Sequence, residues 1–277
     1  FDKAAALMSI EIRRVATRPD YLADVRAMAD QIDDSTLMMV GSAPSFPYGL
    51  IDPIADLGDL ATARNVWLHV DACVGGYIAP FVEMNGVDLP PWDFRVPGVC
   101  SLSADLHKYG YCAKGASTIF YRSEVLRDHM IFDQKDWPAG RMVTPTLAGT
   151  RPGGAISSAW AVMHYLGIEG YRQKQQSVTR ARARIEEGVA ELGFEVLGAP
   201  KLGIMAFSHP ELDIFALYKR LFERGWVTSL CTQPKALHLM LSPFHETVVA
   251  QYLTDLTWAV AQVRAGVTDA VTEVRYS

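Results

Sequence analysis

The sequence predicts an α/β protein with a mainly parallel sheet in a large domain, followed by a small C-terminal α+β domain. In the first half, short apolar runs rich in β-branched residues alternate with helical patterns, which is typical of a parallel sheet. Proline and glycine cluster at 144–154, which marks the best domain boundary. Beyond it, two long helical patterns precede mixed strands and helices. We therefore place the large domain at 1–150, and the interdomain helices with the small domain at 151–277.

The elements of the large domain follow from periodicity and from turn residues. A loop rich in proline, serine and glycine, Ser42-Ala43-Pro44-Ser45-Phe46-Pro47-Tyr48-Gly49, ends one strand, and no helix could cross it. The helices are predicted at 1–10, 20–33 and 51–64, and the strands at 11–16, 36–41, 66–70, 99–103 and 116–121, the last a candidate for antiparallel pairing.

The C-terminal part shows helical and strand patterns without a glycine-rich phosphate loop, which favours a small α+β domain. No internal repeat or low-complexity segment interrupts it. The predicted helices lie at 155–166, 170–192, 213–224 and 246–265, and the predicted strands at 194–197, 203–208, 226–230 and 236–241.

Composition excludes several classes of function. The chain has 277 residues, of which 49% are hydrophobic, enough for one large core or two smaller ones. The net charge of −5 and the lack of a basic stripe argue against nucleic-acid binding. No uncharged apolar stretch reaches the ~20 residues of a membrane span, and the start at Phe1 does not resemble a signal peptide. The composition favours a soluble enzyme.

The four cysteines show neither metal-ligand nor disulfide spacing, so free thiols in a reducing compartment are expected. This favours a cytoplasmic protein. No histidine has a cysteine or an acid at ligand spacing, and no metal site is expected.

An acid and a lysine at two predicted strand ends suggest the chemistry. Asp71 follows the strand at 66–70, and Lys108, next to His107, follows the strand at 99–103. Ligands bind at this end of open α/β sheets. Pyridoxal phosphate (PLP) needs a carboxylate at its pyridine nitrogen and a lysine amine that bonds its aldehyde. An aspartate at a strand end is often only a cap or turn residue, and a His-Lys pair is often only surface. Together the two segments predict a PLP site.

Five longer runs carry a family resemblance. They are Phe1-Asp2-Lys3-Ala4-Ala5, Val40-Gly41-Ser42-Ala43-Pro44, His69-Val70-Asp71-Ala72-Cys73, Ser103-Ala104-Asp105-Leu106-His107-Lys108-Tyr109-Gly110 and Pro145-Thr146-Leu147-Ala148-Gly149-Thr150-Arg151-Pro152-Gly153-Gly154. These runs resemble the PLP-dependent fold-type I enzymes of the group II decarboxylase superfamily, and within it the sphingosine-1-phosphate lyase branch. Cys73, where ordinary decarboxylases have alanine, Asp105-Leu106, where they usually have Asn-Pro, and Lys114 favour that branch.

The resemblance implies a PLP-dependent transferase-like large domain, a homodimer with shared active sites, and a reaction. The reaction is the retro-aldol cleavage of sphingosine 1-phosphate, or a related phosphorylated long-chain base, to a fatty aldehyde and phosphoethanolamine.

The resemblance also implies roles for individual residues. Lys108 would bind the cofactor covalently, Asp71 would pair with the pyridine nitrogen, and either Lys108 or Lys114 would carry the proton. The other cofactor contacts are His107 near the phosphate, Ser103, and Thr150 from across a dimer interface; Cys73 would lie by the ring, and the expected substrate contacts are Lys114, Phe46, Tyr48 and Arg151.

Some alternatives remain open at this stage. Cys73 could merely pack, Lys114 could be solvated surface, and Arg151 could pin a loop. The family's ring-stacking histidine and its phosphate loop would lie upstream of Phe1, outside this chain. A PLP amino-acid decarboxylase would use the same Asp71 and Lys108, and a chain that only folds, dimerises or regulates is the more distant alternative.

Overall fold

Four strands of the first half form one sheet in the order β1-β2-β3-β4. In the computed structural model, which describes residues 1–267 and 269–271, β1 to β3 are parallel and β4 is antiparallel to β3. The strands predicted at 36–41, 66–70, 99–103 and 116–121, the last of them antiparallel, are therefore confirmed. Their bounds are β1 Met38–Ser42, β2 Trp67–Asp71, β3 Val99–Asp105 and β4 Ser117–Tyr121.

The central strand β2 is buried because helices cover the sheet. Leu68, His69 and Val70 are all buried, a continuous run that a parallel strand with both faces covered requires. Helix α3, Ile54–Arg64, connects β1 to β2 and turns Ile54, Leu57 and Ala61 into the core, as predicted. A short helix α4, Ala79–Met84, lies between β2 and β3.

Residues 1–33 are less regular than the sequence predicts. Helix α1, Asp2–Met8, agrees with the prediction, but the strand predicted at 11–16 is wrong, because this exposed segment pairs with no strand in the described part of the chain. Helix α2 covers only Val25–Asp30. Tyr21 has a φ of 66°, which interrupts a helix, and the Asp24 side chain caps α2 by accepting a hydrogen bond from Ala27 N at 3.0 Å.

Between β4 and the long helix, the chain forms elements that the sequence did not predict. Helix α5, Glu124–Asp128, is followed by a hairpin of β5, Phe132–Gln134, and β6, Met142–Thr144. Arg141 clamps the hairpin through two hydrogen bonds to Asp133 at 2.8 and 2.9 Å. Large apolar side chains stay exposed on this segment.

The two predicted long helices join into α6, Gly153–Glu191, and the chain breaks helical geometry only at Gly167. Its φ of 56° and ψ of −175° form a backbone conformation that glycine adopts without steric cost. Residues after the break, among them Tyr171, Val178 and Ile185, are buried, while Trp160 and Tyr165 before it are exposed. The break therefore separates a segment that is mostly exposed, with Ala159 buried, from a helix that packs in the core.

The C-terminal strands form a second, antiparallel sheet in the order β7-β8-β10-β9. The strand predicted at 226–230 begins at 229, because Trp226 takes part in the turn that closes the preceding helix: its backbone N–H donates to Leu221 O. The bounds are β7 Glu195–Val196, β8 Ile204–Ser208, β9 Ser229–Thr232 and β10 Lys235–Met240, with helices α7 Ile214–Glu223 and α8 His245–Arg264.

The two sheets share one buried apolar cluster among the described residues. Tyr109, which is 2% exposed, joins them: its hydroxyl lies 3.0 Å from Gly203 O and 2.7 Å from Leu241 O. The domain boundary at 150 remains a prediction. Within the described part of the chain, no helix is both long and apolar enough to cross a membrane.

Candidate active site

Strands β1, β2 and β3 end at the same edge of the first sheet, and their last residues are Ser42, Asp71 and Asp105. Asp71 lies opposite Ser103 in the parallel register of β2 and β3. The carboxyl ends of parallel strands therefore bring two carboxylates together, where open sheets bind ligands. We call the group of Asp71, Cys73, Ser103, Asp105 and Lys108 the strand-end site.

The Asp71 carboxylate is held in place by two hydrogen bonds. Its Oδ1 accepts from the Cys73 backbone N–H at 3.0 Å and from the Ser103 hydroxyl at 3.1 Å. Both donors reach the same oxygen, which fixes the plane of the carboxylate. Ser103 thus contacts Asp71 directly. We therefore expect Ser103 to affect the cofactor at least in part by positioning the Asp71 carboxylate.

A tight turn after β3 returns Lys108 over the strand ends. The turn is fixed by backbone hydrogen bonds from Lys108 N to Asp105 O and from Cys112 N to Leu106 O. Gly110 is required here, because a Cβ at this position would lie only 2.4 Å from Leu106 O. The local sequence therefore places the lysine side chain at the strand-end site.

The Lys108 amine has two partners at the strand-end site. Its Nζ donates to the Cys73 sulfur at 2.9 Å and pairs with Asp105 Oδ2 at 3.0 Å. Burial by itself would lower the pKa of Lys108, but the hydrogen bonds with Cys73 and Asp105 outweigh it, and the pKa is raised. The lysine is therefore a cation at neutral pH until a ligand displaces these partners.

Burial raises the pKa of the Cys73 thiol to about 11, although the hydrogen bond from Lys108 works against this rise. The thiol is therefore protonated at neutral pH, and its sulfur serves as an acceptor for the lysine. The charge partner of Lys108 is Asp105 rather than Cys73. This environment does not activate Cys73 as a nucleophile.

His107 is oriented by the backbone of the next strand. Its Nδ1 lies 2.9 Å from Ala116 O, and a carbonyl only accepts, so Nδ1 carries a proton. Its Nε2 lies 3.8 Å from Asp105 Oδ2. His107, the predicted neighbour of the cofactor phosphate, and Lys108 thus both lie near the Asp105 carboxylate.

The donor set fits pyridoxal phosphate. A fixed carboxylate can keep a pyridine nitrogen protonated, and a lysine amine on the adjacent strand end can bond an aldehyde carbon. Asp71 and Lys108 supply these groups from neighbouring strands, each positioned by backbone geometry. A cavity of about 370 Å³ lined by Leu22, Leu50 and Leu202 contains no predicted site residue, so we assign the site by chemistry rather than by cavity volume.

Three predicted residues lie away from these contacts. Lys114, Thr150 and Arg151 are exposed, and none forms a hydrogen bond or ion pair with another residue in 1–267 or 269–271. Within the described part of one chain, neither Thr150 nor Arg151 is a hydrogen-bond or ion-pair partner of Lys108. Lys114 lies in the loop between the lysine turn and β4.

The predicted substrate contacts Phe46 and Tyr48 lie on the loop after β1 and contact the second sheet. The Tyr48 hydroxyl donates to Gln233 O at 2.7 Å, and the Phe46 ring lies 4.6 Å from the His238 ring. Their positions as substrate contacts remain predictions.

Sequence reasoning missed Asp105 as the ion-pair partner of Lys108. The available signal was its position three residues before the lysine at a predicted strand end. The sequence also gives no signal that links His238 to Phe46, 192 residues away in the chain.

Comparison with known proteins gives a consistent result. The family model described as the pyridoxal-dependent decarboxylase conserved domain matches residues 1–209. The chain is 42% identical to a sphingosine-1-phosphate lyase of Arabidopsis thaliana over 266 residues, which cover 96% of this chain and 49% of that protein. It is 33% identical over 243 residues to a probable L-tyrosine/L-aspartate decarboxylase of Methanothermobacter thermautotrophicus, covering 88% of this chain and 66% of that protein.

Among solved structures, a sphingosine-1-phosphate lyase of Burkholderia pseudomallei superposes with a TM-score of 0.92 at 36% identity, covering 96% of this chain and 61% of that one. The predicted fold-type I architecture and the resemblance to this lyase branch are thereby confirmed. The chain spans about half the length of the lyases it matches in sequence.

Proposed function

Because the chain belongs to the pyridoxal-dependent decarboxylase family, we propose that the complete protein is a PLP-dependent carbon–carbon lyase. Its substrate would be sphingosine 1-phosphate or a related phosphorylated long-chain base, and its products a fatty aldehyde and phosphoethanolamine. The observation that carries the proposal is the strand-end site. There Lys108, which follows β3, contacts Cys73 and Asp105, and Asp71 lies at the end of the neighbouring strand β2. Lyase relatives at 36–42% identity support the substrate class.

The cofactor, when bound, would accept the electron pair of the breaking bond between C2 and C3. Asp71 would keep the pyridine nitrogen protonated, which makes this electron uptake possible. Cys73 N–H and the Ser103 hydroxyl hold the carboxylate in the orientation for this contact. Cys73 would lie by the ring with its thiol protonated, and His107 near the phosphate.

Lys108 would bind the cofactor covalently, which requires its amine to lose a proton first. Asp105 at 3.0 Å is positioned to accept that proton or to stabilise the cation between turnovers. Either Lys108 or Lys114 would carry the proton that the reaction moves. Lys114 is exposed and has no partner among the described residues, so its charge is available for a phosphate.

We also propose a homodimer with shared active sites. The segment around Thr150 and Arg151 carries large exposed apolar side chains: Leu147 is 102% exposed and Trp160 66%. Apolar patches of this kind mark protein interfaces. A second copy covering this segment would bury them, and would allow Thr150 and Arg151 to reach the partner's cofactor and substrate.

The second candidate function is a PLP-dependent amino-acid decarboxylase of the same family. The family model itself and the archaeal decarboxylase relative favour it. It would use the same Asp71 and Lys108, but it would need a site for a substrate carboxylate and none for a phosphate.

Product analysis separates the two functions. The complete protein with bound cofactor would be incubated with sphingosine 1-phosphate and, separately, with aromatic and acidic amino acids. A fatty aldehyde from the first substrate supports the lyase. Release of carbon dioxide from an amino acid, without aldehyde from the lipid, would favour the decarboxylase instead of the lyase.

The four free cysteines support a cytoplasmic location, which localisation of the tagged protein would test.

A further inference from the structure

The loop of residues 43–49, which follows β1, begins beside the strand-end site. The Ala43 N–H donates to the carbonyl of Asp71 at 2.9 Å, so the start of the loop is fixed to the residue proposed to hold the pyridine nitrogen. The loop then carries Phe46 and Tyr48, both proposed substrate contacts. Whatever fixes the far side of this loop therefore sets the position of these side chains relative to Asp71.

Two strands of the second sheet hold the far side of the loop at three successive residues. Phe46 O receives a hydrogen bond from His238 at 2.8 Å, Pro47 O accepts from the Cys231 thiol at 3.3 Å, and Tyr48 donates to Gln233 O at 2.7 Å. These contacts come from β9, from β10 and from the turn between them.

His238 makes the most constrained of these contacts. The residue is 2% exposed, and its ring lies 4.6 Å from the Phe46 ring. Since a carbonyl oxygen only accepts, His238 Nε2 carries the proton. His238 Nδ1 is buried without a hydrogen-bond partner among the described residues, which agrees with an unprotonated nitrogen there. A neutral imidazole with this tautomer is thus fixed by its surroundings.

We propose that His238 is a positioning residue, which holds the Phe46 carbonyl and thereby fixes the 43–49 loop against the strand-end site for substrate binding. The inference rests on the proposed function, because Phe46 and Tyr48 act on a substrate only there. His238 touches neither the strand-end residues nor, in this proposal, the substrate. Its effect should therefore fall on KM and not on the chemical step.

The decisive variant is His238→Phe in the complete protein, since it keeps a ring against Phe46 but removes the donor. We expect KM for the phosphorylated long-chain base to rise about tenfold, the effect of losing one positioned hydrogen bond, with kcat and the visible absorbance of the bound cofactor almost unchanged. His238→Gln, whose amide nitrogen can reach the same carbonyl, should restore most of the lost affinity.

Tyr252→Phe is the matched control. Tyr252 is 4% exposed, lines the same cavity of about 160 Å³ as His238, and its hydroxyl has no hydrogen-bond partner within the described chain. Its variant should leave KM unchanged. An equal rise of KM in Tyr252→Phe, or a fall of kcat without a change of KM in His238→Phe, would overturn the positioning role.

Amide hydrogen exchange tests the inference independently of the reaction. His238→Phe should speed exchange of the amides in residues 43–49, while those of β2 keep the wild-type rate. Unchanged exchange in the loop would refute the inference even if the lyase function holds. Conversely, if the wild-type protein forms no aldehyde, the proposed lyase function is refuted. The exchange rates of residues 43–49 then still decide whether His238 fixes the loop.

Discussion

The amine nitrogen of Lys108 lies 2.9 Å from the sulfur of Cys73, although the two residues come from different strand ends and are 35 positions apart in the chain. This contact and the ion pair with Asp105 hold the lysine in a defined place before any cofactor arrives. Preorganisation of this kind reduces the entropy that ligand binding must remove. It also makes the role of each neighbour open to separate tests.

Replacing Lys108 by alanine should abolish the visible absorbance of the bound cofactor, because the only covalent tether is lost. The fold should persist, since the contacts of this part-buried side chain are with Cys73 and Asp105 at the strand-end site. An absorbance scan with far-UV circular dichroism measures both. Lys114→Ala serves as the control and should keep the absorbance, whereas an intact band in Lys108→Ala would remove this lysine from its role.

Asp71→Asn should retain some cofactor but lose turnover by a factor of about 100 or more, the size typical of removing one preorganised electrostatic contact. An asparagine oxygen can still accept from the Cys73 N–H and the Ser103 hydroxyl, so the local backbone should survive. The amide cannot keep a pyridine nitrogen protonated. Single-turnover kinetics on the loaded enzyme measures the loss, and wild-type turnover in the variant would contradict the assignment.

Asp105→Asn should shift the pH dependence of cofactor capture to lower pH. The pKa of Lys108 is raised despite burial because Cys73 and Asp105 favour the ammonium form, and capture requires the neutral amine. Without the carboxylate the pKa falls, so a larger fraction of amine is neutral at each pH below it. The rate of reconstitution from apoenzyme and free cofactor between pH 7 and pH 10 checks this. A profile that matches the wild type would show that Asp105 does not set this pKa.

Lys114→Ala should cripple cleavage of the phosphorylated substrate and leave the cofactor absorbance almost normal. A phosphate dianion near the cofactor needs a cation, and Lys114 is exposed and unpaired among the residues described. Lys135→Ala removes another exposed lysine, whose nearest carboxylate, Asp133, lies 3.9 Å away, and provides the charge control. Steady-state kinetics on both variants decides: wild-type rates in Lys114→Ala would exclude it from substrate binding.

Trp160→Glu should weaken the proposed dimer and reduce activity with it. A charge at the centre of an apolar interface is costly to bury, and Trp160 is 66% exposed in the single chain. Val227→Glu places the same charge at an exposed apolar position between α7 and β9, 74% exposed, and should leave association unchanged. Sedimentation velocity over a range of concentrations measures the effect.

Mixing inactive Lys108→Ala with inactive Arg151→Ala should restore partial activity only if sites are completed by the partner.

Much of the first sheet and the two central residues of the site could be predicted from the sequence. Asp71 and Lys108 follow apolar strands, and strand ends in a parallel sheet converge, so their proximity follows from periodicity alone. The spacing of three residues between Asp105 and Lys108 is a signal for their ion pair, but the contact of Lys108 with Cys73 could not be predicted, because it depends on the conformation of one turn.

Other features depend on contacts between distant parts of the chain. The segment expected to be a strand at 11–16 finds no partner strand among the described residues, and a strand without a partner is not stable. The hydrogen bond between His238 and Phe46 joins residues 192 positions apart in the chain. Its acceptor is a backbone carbonyl, which every residue has, so the residue type at position 46 does not predict it. Sequence patterns therefore do not predict which distant strands pair or which backbone carbonyls accept hydrogen bonds from distant side chains.

Tyr109, next to Lys108, bonds the carbonyls of Gly203 and Leu241 in the C-terminal part of the fold. One buried hydroxyl therefore anchors the turn that carries Lys108 to the backbone on either side of the C-terminal sheet. A displacement of Gly203 or Leu241 would thus be transmitted to the backbone beside the lysine, without any direct contact between the C-terminal sheet and the amine.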